Sequence, residues 1–377
     1  MITPIKSFEL NLVDLYLMII KIVNNQKQYL DLRKNERARS SQDLTYLKEA
    51  QVPNERRPQL KYPGGDGVPM GVARTVGQTA YYGIWFLKEL LGFKKPLATT
   101  MIITYQCNLR CQHCQIAENL PSIPQPHKIS YEAAVEEMKA SYERGARVLF
   151  FEGGEPTSWS DGERTLLDLI KAGKEIGFFV TGYTTNGTNV FYPESDVISV
   201  SLDGPRETHD AIRCKGVFDR LMENLSKVDH PNVFANMVVM PDNKHLIRET
   251  AQIVKDDPRI NGLMINFLTP PPDTKVLSME EKRKVVEEIV ALKKEGYPIL
   301  NSRKALKELL IEDYSCRCPF WASEFVLPDR SKVYGCPMKG ESCKHCGFNA
   351  VREYSLITRG SITTIMSMAG RFGLSTK

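Results

Sequence analysis

The stretch Ala98-Thr99-Thr100-Met101-Ile102-Ile103-Thr104-Tyr105-Gln106-Cys107-Asn108-Leu109-Arg110-Cys111-Gln112-His113-Cys114 decides how the rest of the chain is read. Its first part, Ala98 to Tyr105, is an apolar run that reads as a strand, and three thiols follow within eight residues. Three thiolates on one short loop can hold three irons of a four-iron cluster and leave the fourth iron open. Packing alone gives free cysteines no reason to cluster. Zinc in the usual paired spacing wants a fourth ligand nearby, and only His113 offers itself.

From Ala98 onward strand and helix alternate. Ser130 can cap a helix running to Gly145, Arg147 to Glu152 reads as the next strand, and a helix through Leu166 and Ile170 ends near Gly177. Strands are expected at Phe178 to Thr184, Val197 to Leu202, Val233 to Met240 and Leu263 to Leu268, with helices at Phe218 to Val228 and His245 to Val254. About six βα units result, which predicts parallel strands joined by helical crossovers, with functional loops at the strand C-terminal ends. At those ends, Gly153 and Gly154 let backbone approach a ligand closely, and Glu155 adds an acceptor for an ammonium group. A tight turn is the plainer reading of the glycines. Ser201 and Asp203 suit ribose hydroxyls and Arg213 a carboxylate, the plainer reading being a capped, salt-bridged loop.

The pattern Cys107-x-x-x-Cys111-x-x-Cys114 after a first strand resembles the signature of radical S-adenosylmethionine (radical SAM) enzymes. Gly153-Gly154-Glu155-Pro156, Thr184-Thr185-Asn186-Gly187, and Ser201-Leu202-Asp203-Gly204 with His209, Asp210 and Arg213 follow in register with it. The resemblance implies an α/β fold, a partial (β/α)6 TIM barrel, with a 4Fe-4S cluster held by Cys107, Cys111 and Cys114. It also implies S-adenosyl-L-methionine chelating the open iron, and reductive cleavage of its sulfonium to a 5'-deoxyadenosyl radical. Residues 153 to 156, with Pro156 closing the motif, would hold the methionine amino group, and Asn186, Ser201, Asp203 and Arg213 would complete the cofactor site. The residue before the third cysteine touches adenine in that family and is usually aromatic; here it is His113.

A second group, Cys316, Cys318, Cys336, Cys343 and Cys346, argues for metal again, with a zinc knuckle as the structural alternative. The stretch Phe325 to Cys336 resembles the strand-turn-strand of SPASM or shorter twitch extensions, which carry auxiliary four-iron clusters. Cys318, Cys336, Cys343 and Cys346 are the expected ligands, with Cys316 as substitute. Cys214 belongs to neither group and reads as a buried thiol, or as a hydrogen-atom donor to a product radical.

The chain has 377 residues, 42% hydrophobic and 25% charged, with a net charge of +5 that is spread rather than blocked and gives no case for nucleic acid. Eight of the nine cysteines fall in the two groups, which fits metal ligation in a reducing, cytoplasmic setting. No secretion signal and no uninterrupted run approaching the ~20 residues of a membrane span is expected. Residues 8–24 suggest an amphipathic helix, residues 25–70 a polar linker, and Tyr81 to Phe93 a second apolar helix with a basic end at Lys94 and Lys95. The expected organisation is a helical extension over 1–95, the barrel over 96–275, a helical connection over 276–312, a small cysteine-rich domain over 313–350 and a tail over 351–377.

The first apolar helix reads as packed on the outside of the barrel or, alternatively, as lying on a membrane surface; with the second it allows peripheral membrane association and tips the substrate towards a membrane lipid or isoprenoid, in line with a resemblance to adenosylhopane synthase-like proteins in Ser201 to Arg220 and Cys343 to Phe348. A SPASM-type maturase acting on a peptide or protein is the alternative, and an iron-sulfur electron carrier is the alternative of another class. A ferredoxin or flavodoxin is the expected electron donor.

Overall fold

The computed structural model describes residues 70–361, 363 and 364, except 124, 270–274 and 339. The helix expected over 8–24, the linker over 25–69 and nearly all of the tail beyond Ser361 lie outside the described residues.

Helix α1 (Met70–Leu90) precedes a sheet of eight strands. Strands β1 (Ala98–Thr104), β2 (Val148–Gly153), β3 (Val180–Thr185), β4 (Val197–Ser201), β5 (Val233–Val239) and β6 (Leu263–Phe267) pair in sequence order, every pair parallel. The crossovers carry α2 (Tyr131–Arg144), α3 (Leu166–Ile176), α4 (Arg206–Arg213), α5 (Val217–Ser226) and α6 (Ile247–Asp256), followed by α7 (Met279–Lys294) and α8 (Arg303–Glu308). This mostly parallel sheet wrapped by helices is the partial TIM barrel expected from the alternation. Local chemistry sets the boundaries: the Ser130 hydroxyl accepts from the Ala133 N–H at the start of α2, and Gly145 and Gly177 end α2 and α3 at φ of 121° and 110°.

Alternation along each strand sends two faces to two environments. Met101, Ile103, Leu149, Phe151, Ala235 and Met237 face the helices in one continuous core. The opposite face lines the barrel. On it the register sets Glu152 beside Thr184, Thr184 beside Ser199, and Ser201 beside Asn236, with Asn266 donating to Asn236 Oδ1 at 2.7 Å.

The cysteine-rich segment is tied into this sheet. Strand β7 (Ser323–Val326) pairs parallel with β1 from Ala98↔Ser323 to Met101↔Val326, β8 (Lys332–Tyr334) folds back antiparallel, and α9 (Asn349–Thr358) follows. The hairpin is held by Glu324, fully buried, which accepts from Thr99 Oγ1 at 3.0 Å and from Arg144 Nη2 and Nε at 2.8 and 3.0 Å. Such a bidentate pair fixes geometry as well as charge. Replacing Arg144 by Ala strands the buried carboxylate and is expected to cost about 3 kcal/mol, the low end for a broken buried pair because Arg144 keeps some water contact. Urea unfolding measures the loss, and hydrogen exchange over residues 323–334 should rise with it. A loss within about 0.5 kcal/mol would mean that the pair behaves as a surface bridge.

Candidate active site

All four sequence motifs reach the same end of the barrel, because parallel strands carry their C-terminal ends to one mouth. The cysteine loop leaves β1 with the Gln106 N–H donating to Thr104 Oγ1 and is anchored by the buried Leu109. Its far side is tied to α4: Gln112 donates through its backbone to Ile212 O at 2.9 Å and through its side chain to Ala211 O at 2.7 Å, while the Cys111 thiol lies 3.7 Å from Arg213 O. Burial pushes the Cys111 thiol up to about 11, Arg213 opposes the rise, and the nearby Cys114 and Cys107 add to it. The three thiols are thus close enough to feel one another, and holding them as thiolates requires compensating positive charge such as bound iron.

The glycines of the second motif make a close approach within the chain itself. A Cβ on Gly153 would stand 2.1 Å from Thr104 O, and one on Gly154 would stand 2.1 Å from Gln106 O. The Gly154 and Glu155 N–H groups donate to those two carbonyls at 2.8 and 2.9 Å. The close approach is made to the cysteine loop, and these two N–H groups are already satisfied by it. Glu155 likewise turns inward. Its buried carboxylate accepts from the Thr157 N–H and hydroxyl, from the Thr185 hydroxyl at 2.8 Å and from the Asn186 N–H at 2.7 Å. With four donors engaged it braces two loops. Pro156, also buried, opens the single turn that Glu155 caps. The Asn186 side chain donates to Asn108 Oδ1 at 2.9 Å, 3.9 Å from Cys107 Sγ, so it clamps the loop beside the first thiol.

Asp203 and Arg213, read from sequence as ribose and carboxylate contacts, form a buried pair at 2.7 Å, with the second Asp203 oxygen accepting from the Val238 N–H. Burial alone would raise the Asp203 carboxyl; Arg213 and His113 outweigh it and hold it below the ordinary range. His209 Nδ1 accepts from the Asp203 N–H, which places the ring proton on Nε2, where it has no partner. His113 lies close enough to Asp203 and Arg213 for their charges to act on it, and its buried Nδ1 is also without a partner. Burial lowers both rings to about 4. Ser201 lies on the barrel-facing side, paired with Asn236. Cys214 caps α4 with φ of 149°, donating its N–H to Asp210 O, directly after the arginine of the pair.

The family model of the radical SAM superfamily matches residues 101–254. The chain carries a radical SAM superfamily domain. Similar proteins include the mycofactocin maturase MftC of Mycolicibacterium smegmatis, 31% identical over 175 residues, which are 43% of this chain and 42% of that protein. The mitochondrial GTP 3',8-cyclase of Arabidopsis thaliana is 29% identical over 176 residues, 44% of this chain and 45% of that one. The chain thus spans less than half the length of these curated relatives. Among solved structures, Streptococcus suis SuiB bound to S-adenosylmethionine superposes with a TM-score of 0.52 at 14% identity, over 85% of this chain and 73% of that one, a likeness of fold.

The radical SAM domain's residues fit its cluster and cofactor: three thiols on one braced loop, a buried cationic guanidinium beside them, and an unpartnered imidazole nitrogen at the same mouth. The second cysteine group also meets in space. Cys318, Cys336, Cys343 and Cys346 line one pocket with Tyr314, Phe320 and Met338, whereas Cys316 is exposed and outside it. Burial pushes the Cys318 thiol up to about 12, the neighbouring thiols adding to the rise. Among the described residues, no three Cys, His, Asp or Glu side chains converge on a single-ion position.

Sequence reasoning missed Glu152, Asn108, Lys282 and Arg352. Glu152 directly precedes the glycine motif, and Arg352 sits at helical spacing from Asn349, which is the only signal either offers.

The buried His209 gives a pH prediction. Its folded value of about 4 lies below the ordinary 6.5, so the unfolded chain binds the extra proton first and the stability contribution, complete above 6.5, falls as pH drops towards 4. A shift of this size corresponds to about 3 kcal/mol. Urea midpoints between pH 7 and 4.5 should fall, and His209→Asn, which keeps an acceptor for the Asp203 N–H, should flatten that fall. An unchanged pH profile in the variant would show that His209 is not the group being protonated.

Proposed function

We propose that this chain is a radical SAM enzyme that reductively cleaves S-adenosylmethionine and modifies an unactivated carbon of a polar substrate, such as a peptide, held inside the barrel. The carrying observation is the braced loop that sets Cys107, Cys111 and Cys114 at the mouth of a six-stranded parallel barrel. A four-iron cluster held there would keep one iron open and would supply one electron for cleavage of a bound sulfonium. Cys107, Cys111 and Cys114 hold three irons; Asn186 and Asn108 keep the loop in place; the Asp203–Arg213 pair keeps a fixed charge beside the thiols. A ferredoxin or flavodoxin is the class of donor that suits such a site.

The peptide reading draws on two supports. The similar proteins named above include a maturase, and the sporulation killing factor maturation protein SkfB of Bacillus subtilis is another, 26% identical over 176 residues. The barrel lining offers Glu152, Thr184, Ser199, Asn236 and Asn266, a polar surface in which Thr184 donates to Glu152 and Asn266 to Asn236, and whose remaining donors and acceptors a hydrocarbon would leave unpaired.

A second reading, peripheral membrane association with a lipid or isoprenoid substrate, is favoured by a different observation. Ile84, Leu87, Leu91 and Phe93 are exposed at 52%, 42%, 74% and 66% on and just after α1, with Lys94 and Lys95 next to them. No helix among the described residues is long and apolar enough to cross a membrane.

The test is anaerobic reconstitution with iron and sulfide, then dithionite and S-adenosylmethionine, with 5'-deoxyadenosine measured by mass spectrometry. Formation is expected in the native chain and a fall to background in Cys111→Ala. A fully loaded protein that makes none, with or without candidate peptides, overturns the assignment. Sedimentation with anionic vesicles, lost in Leu87→Glu/Leu91→Glu, would support the second reading over the first.

A further inference from the structure

Arg352 lies on α9 with no solvent exposure at all. Its Nη1 donates to Cys346 Sγ at 2.8 Å and to Phe348 O at 3.2 Å, its Nη2 donates to Cys346 O at 2.7 Å, and the guanidinium stacks 4.1 Å from the Tyr314 ring centroid. Among the described residues no carboxylate forms an ion pair with it, and its Nε has no acceptor. The adjacent Glu353 carboxylate is turned to the Ser302 N–H and the Asn349 side chain instead.

A second cation lies behind it. Lys282 on α7 is 9% exposed, its ammonium 5.8 Å from the Phe267 ring, and Arg352, the Glu312 carboxylate and Cys346 are all near enough for their charges to act on it. The loop that carries Cys346 cannot swing away from these cations. A Cβ on Gly347 would stand 2.4 Å from Phe267 O, and the Phe267 N–H donates to Gly347 O at 3.1 Å, so the end of β6 fixes the loop.

A buried guanidinium without an anion is costly, and among the described residues the one anion-forming group in its hydrogen-bond reach is the Cys346 sulfur. Four thiolates around a four-iron cluster provide a net negative centre in this pocket. When such a cluster takes one electron from a reductant, its total charge with the four thiolates goes from 2− to 3−. Nearby fixed positive charge and an N–H donated to sulfur both favour the more negative, reduced form.

We propose that Arg352 and Lys282 are the built-in counter-charges of the C-terminal thiol pocket, raising the one-electron reduction potential of a four-iron cluster bound by Cys318, Cys336, Cys343 and Cys346. The proposal rests on the reading of that pocket as an auxiliary cluster site. Both are positioning residues: neither is a ligand, and each acts through charge on the bound group.

The experiment separates the two layers. In the Cys107→Ala/Cys111→Ala/Cys114→Ala background, anaerobic reconstitution leaves only the C-terminal pocket to load, and iron, sulfide and zinc are counted. Four irons and four sulfides support the cluster reading; zinc, or no iron, overturns it and the proposal with it. On the loaded protein, a potentiometric titration with dithionite followed by electron paramagnetic resonance gives the potential. Arg352→Gln is expected to lower it by about 59 mV, a tenfold shift in a one-electron reduction equilibrium, and Arg352→Lys to keep most of the native value. If Arg352→Gln fails to load, Lys282→Gln, which removes no contact to a thiol, carries the test with a smaller fall in the same direction. A loaded variant with an unmoved potential overturns the proposal while leaving the cluster reading intact.

Discussion

Parallel pairing of six consecutive strands is the constraint from which the site follows. Each helical crossover returns the chain to the same starting edge, so the residues just beyond β1, β2, β3 and β4 all arrive at one mouth. Four motifs spread over about a hundred residues of chain become neighbours through the strand order alone. The contacts then refine the arrangement. Glu155 joins the ends of β2 and β3, the glycines before it press on the cysteine loop, and Arg213 with Asp203 joins α4 to the end of β4.

The molecule places polar and charged groups inside protein at both thiol sites, and in each the charge is answered. Asp203 answers Arg213 within the chain. Among the described residues Arg352 has a cysteine sulfur and backbone carbonyls, and no carboxylate, to answer it, a marked difference between two buried guanidiniums in one fold. A pair complete in itself holds the geometry of a loop, whereas an incomplete one is balanced only when the neighbouring thiols carry negative charge.

The hairpin β7–β8 shows how the second thiol site is tied to the first. It adds to the free edge of β1, the strand that launches the first cysteine loop, and the Glu324–Arg144 pair fastens it to the helix that follows that loop. Through β1 the two thiol groups share one rigid element. Their separation in sequence, about two hundred residues, says nothing of this.

Strand and helix periodicity, the caps at Ser130, Gly145 and Gly177, and the spacing of Cys107, Cys111 and Cys114 were legible because each is a local pattern that chemistry restricts to few residue types. The four thiols Cys318, Cys336, Cys343 and Cys346 were legible as a set for the same reason. Where a side chain points among several possible partners was not. Glu155 reads from sequence as a ligand acceptor, and its role as a brace appears only when Thr185 and Asn186 arrive from another strand. Asp203 and Arg213 read from sequence as separate polar groups, and only the fold sets them 2.7 Å apart as a pair. Asn349, Arg352 and Glu353 recur at the spacing of a helix face, and a polar face in sequence reads as a solvated one. Burial of that face against a thiol pocket depends on long-range packing, which no local pattern encodes; chain chemistry determined which groups were available, and tertiary contact determined which of them met.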